Sequence, residues 1–460
     1  MDSFRHIHFI GICGTAMGAV AAAVRERGIT VTGSDENIYP PISTFLESQE
    51  IYPISGFRAE NIPSHADLIV IGNAIRRGNP EVEAVLNRKL LYFSLPEMLK
   101  YTFLLKRHNL VVTGTHGKTT TTALLAWILE NAQFQPGYLI GGVPNNLGRG
   151  ACLRDSNYFV IEGDEYDTAF FDKRSKFIHY LPELLIINNI EFDHADIFRD
   201  LDEIKTSFRR LVNIVPSEGM ILINGDDENC REVTSAAVSP VVEVGFSANA
   251  SNQIRSLRFE REWAFFELFR QEFRLPLIGE FNVRNAAMAI SAAHFYGVPF
   301  DVIQRALSSF QGVHRRQEIR GEVRKIKVID DFGHHPTAIR QTLRGLRHKY
   351  GPSRIWAVFE PRSNTTRRSV FQHDLPKAFV DADGVLIAQV AAADQIPPAE
   401  RLDPQQVVHE IVAQGKQAFY EPGANEIVQR LQTLAQEGDV IVVFSNGGFD
   451  NIHTKLLEGL

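Results

Sequence analysis

Short apolar runs recur along this chain, separated by longer stretches that read as helices. Runs at residues 6–10, 30–35, 67–73, 158–162, 184–190, 326–331, 355–359, 384–387 and 440–444 are too brief and too apolar for anything but strands. An Ala/Val-rich stretch after the first run predicts a helix ending near Arg27, with Gly28 as its stop. Residues 123–129 and the segment from Ala286 read as further helices. Such alternation predicts a doubly wound α/β architecture. From about Val241 to Leu277 the segments become short and charged, 262–268 for example, which predicts an antiparallel excursion. The βα rhythm restarts near residues 105–108 and again in the last third. The expected organisation is three α/β domains in series, 1–106, 107–314 and 315–460, with Rossmann-like outer domains.

Candidate chemistry begins where a further apolar run, ending at Thr113, gives way to glycines. Val111-Val112-Thr113-Gly114-Thr115-His116-Gly117-Lys118-Thr119-Thr120 runs from a strand through glycines into a helix. Strand, glycine loop and helix make a phosphate-binding loop, so the central domain is expected to be of the P-loop type. Lys118 would reach the β- and γ-phosphates and the Thr119 hydroxyl would face Mg²⁺. The loop is shortened: Val112 stands where the usual pattern has its first glycine.

Two later strands end in acids, Glu162-Gly163-Asp164-Glu165 and Glu191-Phe192-Asp193-His194-Ala195-Asp196. Ligands bind at the carboxyl ends of parallel strands, and hard oxygens suit Mg²⁺. Glu162 and His194 are the candidates. Asn282 and Asn285, three apart, share one face of a helix start, where spacing alone favours N-capping. Asp330-Asp331-Phe332-Gly333-His334-His335 places paired histidines beside acids. In the first domain, Gly11, Gly14 and Gly18 follow a strand and Asp35 ends the next one. That imitates a dinucleotide fingerprint, but the spacing is wrong, and a diphosphate on the helix N-terminus fits equally.

Composition narrows the class. The chain has 460 residues, 44% hydrophobic and 22% charged, with a net charge of −7 and no long basic run, which argues against nucleic acid as a partner. Three scattered cysteines, Cys13, Cys152 and Cys230, suggest no disulfide framework or zinc site and fit a reducing cytoplasm. No signal peptide or bilayer-spanning run is read, so no membrane partner is expected.

Taken in order, these motifs resemble the Mur ligases, ATP-dependent ligases of bacterial cell-wall precursors, and the resemblance runs along nearly the whole chain. It rests on Gly114 to Thr119, on Glu162, on Asp193-His194-x-Asp196, and on Asn282 with Asn285 (Phe281 replaces the family's histidine). The Arg315-Arg316 pair and Asp330 to Pro336 complete it. The resemblance implies ATP and Mg²⁺ as cofactors, with Lys118, His194, Arg316 and Asp331 catalytic. ATP would be held by Gly114, Thr115, His116, Gly117, Lys118, Thr119, Thr120, Asn282, Asn285, Arg316, Asp331 and His334. Thr119, Glu162 and His194 would be metal ligands. A UDP-sugar would lie against Gly11, Cys13, Gly14, Thr15, Met17, Gly18, Ser34, Asp35 and Asn73, and the acceptor against Arg362 and Asn446.

Within the family the resemblance is to the branch that joins UDP-N-acetylmuramate to the murein tripeptide L-alanyl-γ-D-glutamyl-meso-diaminopimelate. Residues 11–18, 39–43, 72–80, 170–177, 360–365 and 445–449 carry it. The alternative is the branch that adds L-alanine, where His-Arg usually stands in place of Arg362-Ser363. A monomer or weak homodimer is expected. Two other classes fit less well. An NAD-dependent oxidoreductase leaves the phosphate loop idle, and a nucleotide-switch protein leaves the later motifs unexplained.

Overall fold

The computed structural model describes residues 4–40 and 42–460, so Pro41 of the 39–43 segment lies outside the described residues. The first sheet has five parallel strands, with His6–Ile10 at the centre between Thr30–Asp35 and Leu68–Ile71. Every residue of His6–Ile10 is buried, as a central parallel strand covered on both faces requires. Gly11 turns the chain with φ +83° into the helix Thr15–Glu26.

A second sheet has eight strands. Its centre is His108–Thr113, paired in parallel with Leu184–Ile187 on one side and Tyr158–Glu162 on the other. Val112 aligns with Glu162, and Thr113 with Ile187. The carboxyl ends of three adjacent strands therefore emerge together. The helix Lys118–Asn131 follows the middle one and buries nearly all its length against the sheet.

These two sheets belong to one compact unit, formed by the chain up to Glu191 with Leu201–Ile254 and Asn285–Phe310. Its cohesion has visible causes. Arg27 reaches the carbonyl of Leu153 at 3.0 Å and the carboxylate of Asp155 at 2.7 Å. A hairpin, Asp167–Ala169 paired with Asp172–Ser175, packs Phe170 and Phe171 against a cluster of Ile10, Ile69 and Ile71 of the first sheet and Val82 of the helix Pro80–Arg88. Phe171 meets Tyr92 edge-on at 5.1 Å.

The second unit comprises Phe192–Asp200, Arg255–Arg284 and Gln311–Leu460. Its main sheet has six strands: one antiparallel edge strand, Glu318–Val323, then Ile326–Asp331, Val440–Phe444, Ile355–Phe359, Gly384–Ala388 and Gln417–Glu421 in parallel. One face is covered by Ile339, Leu343 and Leu346 of the helix Pro336–Tyr350, the other by Ile427, Leu431, Ile452 and Leu456. Asp331, Phe444 and Phe359 are in register, so the residues after them share one edge.

The antiparallel excursion is shorter than the sequence pattern predicts. Val241–Gly245 runs parallel to Met220–Asn224 in the eight-stranded sheet, because Val242 and Val244 extend its apolar surface. The antiparallel strands are Arg255–Glu260, Trp263–Leu268 and Gln271–Leu275. No helix among the described residues is long and apolar enough to cross a membrane.

Candidate functional site

The loop between His108–Thr113 and Lys118–Asn131 is built from glycines and held by asparagines. Gly114 has φ +124°, and a Cβ there would lie 2.9 Å from the Asn189 carbonyl. Gly117 has φ +81° and caps the helix, and a Cβ there would lie 2.3 Å from Asn285 Oδ1. Asn189 accepts from the His116 amide at 2.7 Å and donates to the His116 carbonyl at 3.1 Å. Asn188 donates to Thr121 Oγ1 at 3.1 Å. These two side chains, at the end of Leu184–Ile187, fix the loop, and sequence reading missed them. Their signal was two adjacent amides immediately after a buried strand. Gly117→Ala is expected to lower stability by about 1–2 kcal/mol through its backbone alone, and to push Asn285 aside. Thermal melts and the KM for ATP test this; wild-type values for both would refute it.

At the head of the helix, Lys118 Nζ donates to the Gly114 carbonyl at 2.6 Å and lies 3.0 Å from both oxygens of Glu165. Burial works against the lysine's charge, but the carboxylates of Glu165, Asp164 and Glu162 outweigh it and raise its pKa. Asp164 is itself held ionised, well below the usual range: burial opposes this, and Lys176 at 2.6 Å and Lys118 prevail. Thr119 Oγ1 donates to Glu162 Oε1 at 3.0 Å, and the Gly141 amide donates to Glu162 Oε2 at 2.7 Å. A threonine hydroxyl and a carboxylate oxygen beside an ammonium are a fitting donor set for a hard divalent cation carrying a polyphosphate. His116 pairs with Glu191 at 2.9 Å.

In the first sheet, the Gly11 and Ile12 amides bond the Ser34 carbonyl, and the Cys13 amide bonds Asp35 Oδ2 at 2.9 Å. The loop is thus tied down from the end of the next strand. Gly14 caps the helix without a side-chain bond, which leaves helix-terminal amides for an anion. Thr15 opens that helix and is exposed. Met17 and Gly18 are buried, Gly18 against Ile42. Ser34 is buried and donates its hydroxyl to Glu81 at 2.5 Å. Asn73 donates to Asp167 Oδ1 at 3.1 Å.

In the second unit, Arg315 and Arg316 divide their tasks. Arg315 lies 3.2 Å from Asp330 and donates to the carbonyls of Ser445 and Gly447, each at 2.7 Å, which pins that turn. Arg316 stacks on Phe332 at 5.1 Å. Burial raises the pKa of Asp331, against the pull of Arg316 and of the Gly333 and Gln317 amides. His334 lies 3.6 Å from Asp193. Asn282 does not cap its helix: its side-chain Nδ2 donates to the Ile278 carbonyl at 2.9 Å. Arg362 lies against Gly447, where a Cβ would sit 2.1 Å from its Nε. Its Nη1 is 3.4 Å from Glu360, which accepts from Ser445 Oγ at 2.5 Å. Asn446 follows Ser445 in this turn, with a buried Oδ1 that has no hydrogen-bond partner among the described residues. Glu360 was missed by sequence reading; an acid directly after an apolar strand was its signal. Lys205 pairs with Glu232 at 2.6 Å.

Three family models match the chain end to end: the Mur ligase family catalytic domain at residues 6–107, the Mur ligase middle domain at 112–293, and the Mur ligase glutamate ligase domain at 315–447. The chain belongs to the Mur ligase family. Its three-domain α/β architecture is that of the family. Of this Mur ligase's relatives, an Escherichia coli protein named UDP-N-acetylmuramate–L-alanyl-γ-D-glutamyl-meso-2,6-diaminoheptandioate ligase is 45% identical, over 99% of this chain and 98% of its own length. The UDP-N-acetylmuramate–L-alanine ligase of Acetivibrio thermocellus is 32% identical, over 99% and 96%. The crystal structure of a murein peptide ligase from Psychrobacter arcticus matches with a TM-score of 0.74 and 37% identity, over 99% of this chain and 98% of that one.

Proposed function

We propose that this Mur ligase joins UDP-N-acetylmuramate to L-alanyl-γ-D-glutamyl-meso-diaminopimelate with hydrolysis of ATP, in peptidoglycan recycling. The observation that carries the acceptor choice is the identity gap, 45% to the tripeptide-named relative against 32% to the alanine-named one, each over nearly the full length. Three cysteines, none in a disulfide among the described residues, support a reducing, cytoplasmic setting. We place the divisions between the domains at residues 106 and 314.

A carboxylate is a poor electrophile, so its oxygen first takes the γ-phosphoryl of ATP. The acceptor amine then attacks the acyl carbon, and phosphate leaves from a tetrahedral intermediate. Lys118 exchanges Glu165 for phosphate oxygens and neutralises charge on the phosphoryl in flight. The amides of residues 114–117, held by Asn188 and Asn189, cradle the β-phosphate. Asn282 and Asn285 are assigned to the base, and Arg316, Asp331 and His334 to the nucleotide. The Gly11–Gly18 loop with Ser34, Asp35 and Asn73 receives the UDP-sugar. Arg362 and Asn446 receive the acceptor. Magnesium, when bound, supplies positive charge for the phosphates: Thr119 and Glu162 would hold a first ion, and His194 would help to place a second.

Phosphate release measured with tripeptide and with L-alanine tests the reading. Release with the tripeptide, dependent on UDP-N-acetylmuramate, is expected; equal or better use of L-alanine would transfer the chain to the alanine-adding branch. A second expectation concerns the metal. Loss of an outer partner of a metal ligand typically weakens metal affinity roughly 10–100-fold, and loss of a ligand should weaken it no less. Glu162→Ala is therefore expected to raise the Mg²⁺ half-saturation of phosphate release at least about tenfold. An unchanged magnesium titration would remove Glu162 from the metal site.

A further inference from the structure

His194 has a left-handed backbone, φ +57°, a conformation that a non-glycine residue keeps only when its surroundings enforce it. The enforcement comes from a distant part of the chain within the same unit. Thr365 Oγ1 donates to Asp193 Oδ1 at 2.7 Å and accepts from the Ala195 amide at 3.2 Å. One hydroxyl thus bonds the residues on both sides of His194. Asp193 Oδ1 also accepts from the His194 amide at 2.7 Å. One residue further out, Asn364 Nδ2 donates to Asp196 Oδ2 at 2.8 Å. Thr365 is 1% exposed and Asp193 4%, so water does not compete for these bonds. The residues after His194 then close a turn, with the Ile197 and Phe198 amides each bonding the His194 carbonyl at 3.0 Å.

We propose that Thr365 is a positioning residue for His194: it holds the strained turn that fixes the imidazole as a metal ligand. The inference rests on the reading of His194 as a metal ligand. It goes further by assigning the orientation of that ligand to the loop that carries Arg362, three residues before Thr365 in sequence. Partners outside a metal's ligand set fix ligand orientation, and their loss typically weakens metal affinity roughly 10–100-fold.

The test uses the full-length protein and three variants. Thr365→Val removes the hydroxyl at nearly constant volume, Thr365→Ser restores it, and His194→Ala reports on the ligand itself. Hydrogen exchange of the peptide covering residues 192–200 is followed in metal-free protein. Mn²⁺ binding in the presence of a non-hydrolysable ATP analogue is followed by electron paramagnetic resonance. Thr365→Val is expected to speed exchange in that peptide and to weaken Mn²⁺ binding roughly 10–100-fold, with Thr365→Ser close to wild type. If Thr365→Val melts early, Asn364→Ala, which cuts the outer bond at a half-buried residue, takes its place in the exchange measurement. Wild-type exchange in the variant overturns the brace. Fast exchange with wild-type Mn²⁺ binding overturns it too, provided His194→Ala weakens that binding. If His194→Ala binds Mn²⁺ as wild type does, the reading of His194 as a ligand is what fails.

Discussion

Lys118→Ala is expected to lower turnover by at least about 10²–10³-fold, the effect of removing one preorganised charge from a phosphoryl-transfer site. The variant should also lose stability, for a reason visible only in the folded chain. Glu165 is 3% exposed and both its oxygens lie 3.0 Å from Lys118 Nζ, so the substitution takes this cation away from a buried carboxylate. Removing one partner of a buried pair costs about 3–5 kcal/mol. The Gly114 carbonyl, which accepts from the same ammonium, loses that bond as well. The double variant Lys118→Ala/Glu165→Gln separates the two effects. It should recover much of the lost Tm, because a neutral amide needs no cation, while turnover stays low. Recovery of turnover together with Tm would mean that Lys118 serves the fold and not the chemistry.

Arg362→Ala is expected to reduce kcat/KM for the tripeptide by tens to thousands of fold while changing any residual use of L-alanine far less. The guanidinium is half exposed, lies against Gly447, and among the described residues its one carboxylate contact is long, 3.4 Å to Glu360. It is therefore held in place with donors to spare. L-Alanine offers one carboxylate; the tripeptide offers several, some well beyond the reacting amine. Binding energy from those remote groups can orient the amine at the acyl phosphate. A charge pair desolvated by the bound ligand is worth roughly 2–5 kcal/mol when one partner is removed. Steady-state kinetics with both acceptors decide the matter. An equal loss for both would remove Arg362 from tripeptide recognition and leave the ligase activity in place.

The central strands were readable because each is a short apolar run ending in glycine or a polar residue, and burial on both faces leaves no other option for them; Met220–Asn224 and Gln417–Glu421 were not read. The phosphate loop was readable for the same kind of reason: only glycine suits φ +124° and +81° at Gly114 and Gly117. What the sequence hides is which distant side chains serve these positions. Asn188 and Asn189 look like any polar strand end until the register places them under the loop. Glu165 looks like one solvated acid among four, yet it is the one that meets Lys118. Arg315 and Arg316 are indistinguishable in sequence, and only packing shows that the first pins the Ser445–Gly447 turn. Val241–Gly245 was misjudged because a short, mixed strand carries no mark of parallel or antiparallel pairing.

The hairpin that carries Phe170 and Phe171 has a consequence for how the protein is made. The first sheet is complete in sequence by Ser94, but the rings that pack on its isoleucines come 76 residues later (170 − 94). At about 5–20 residues per second, that interval lasts roughly 4–15 s on the ribosome. Throughout it the nascent chain presents a partly bare aliphatic surface around Ile69, Ile71 and Ile75. A chain released early, before the hairpin is synthesised, would keep that surface bare, and the prime risk to it would be coalescence with other nascent chains.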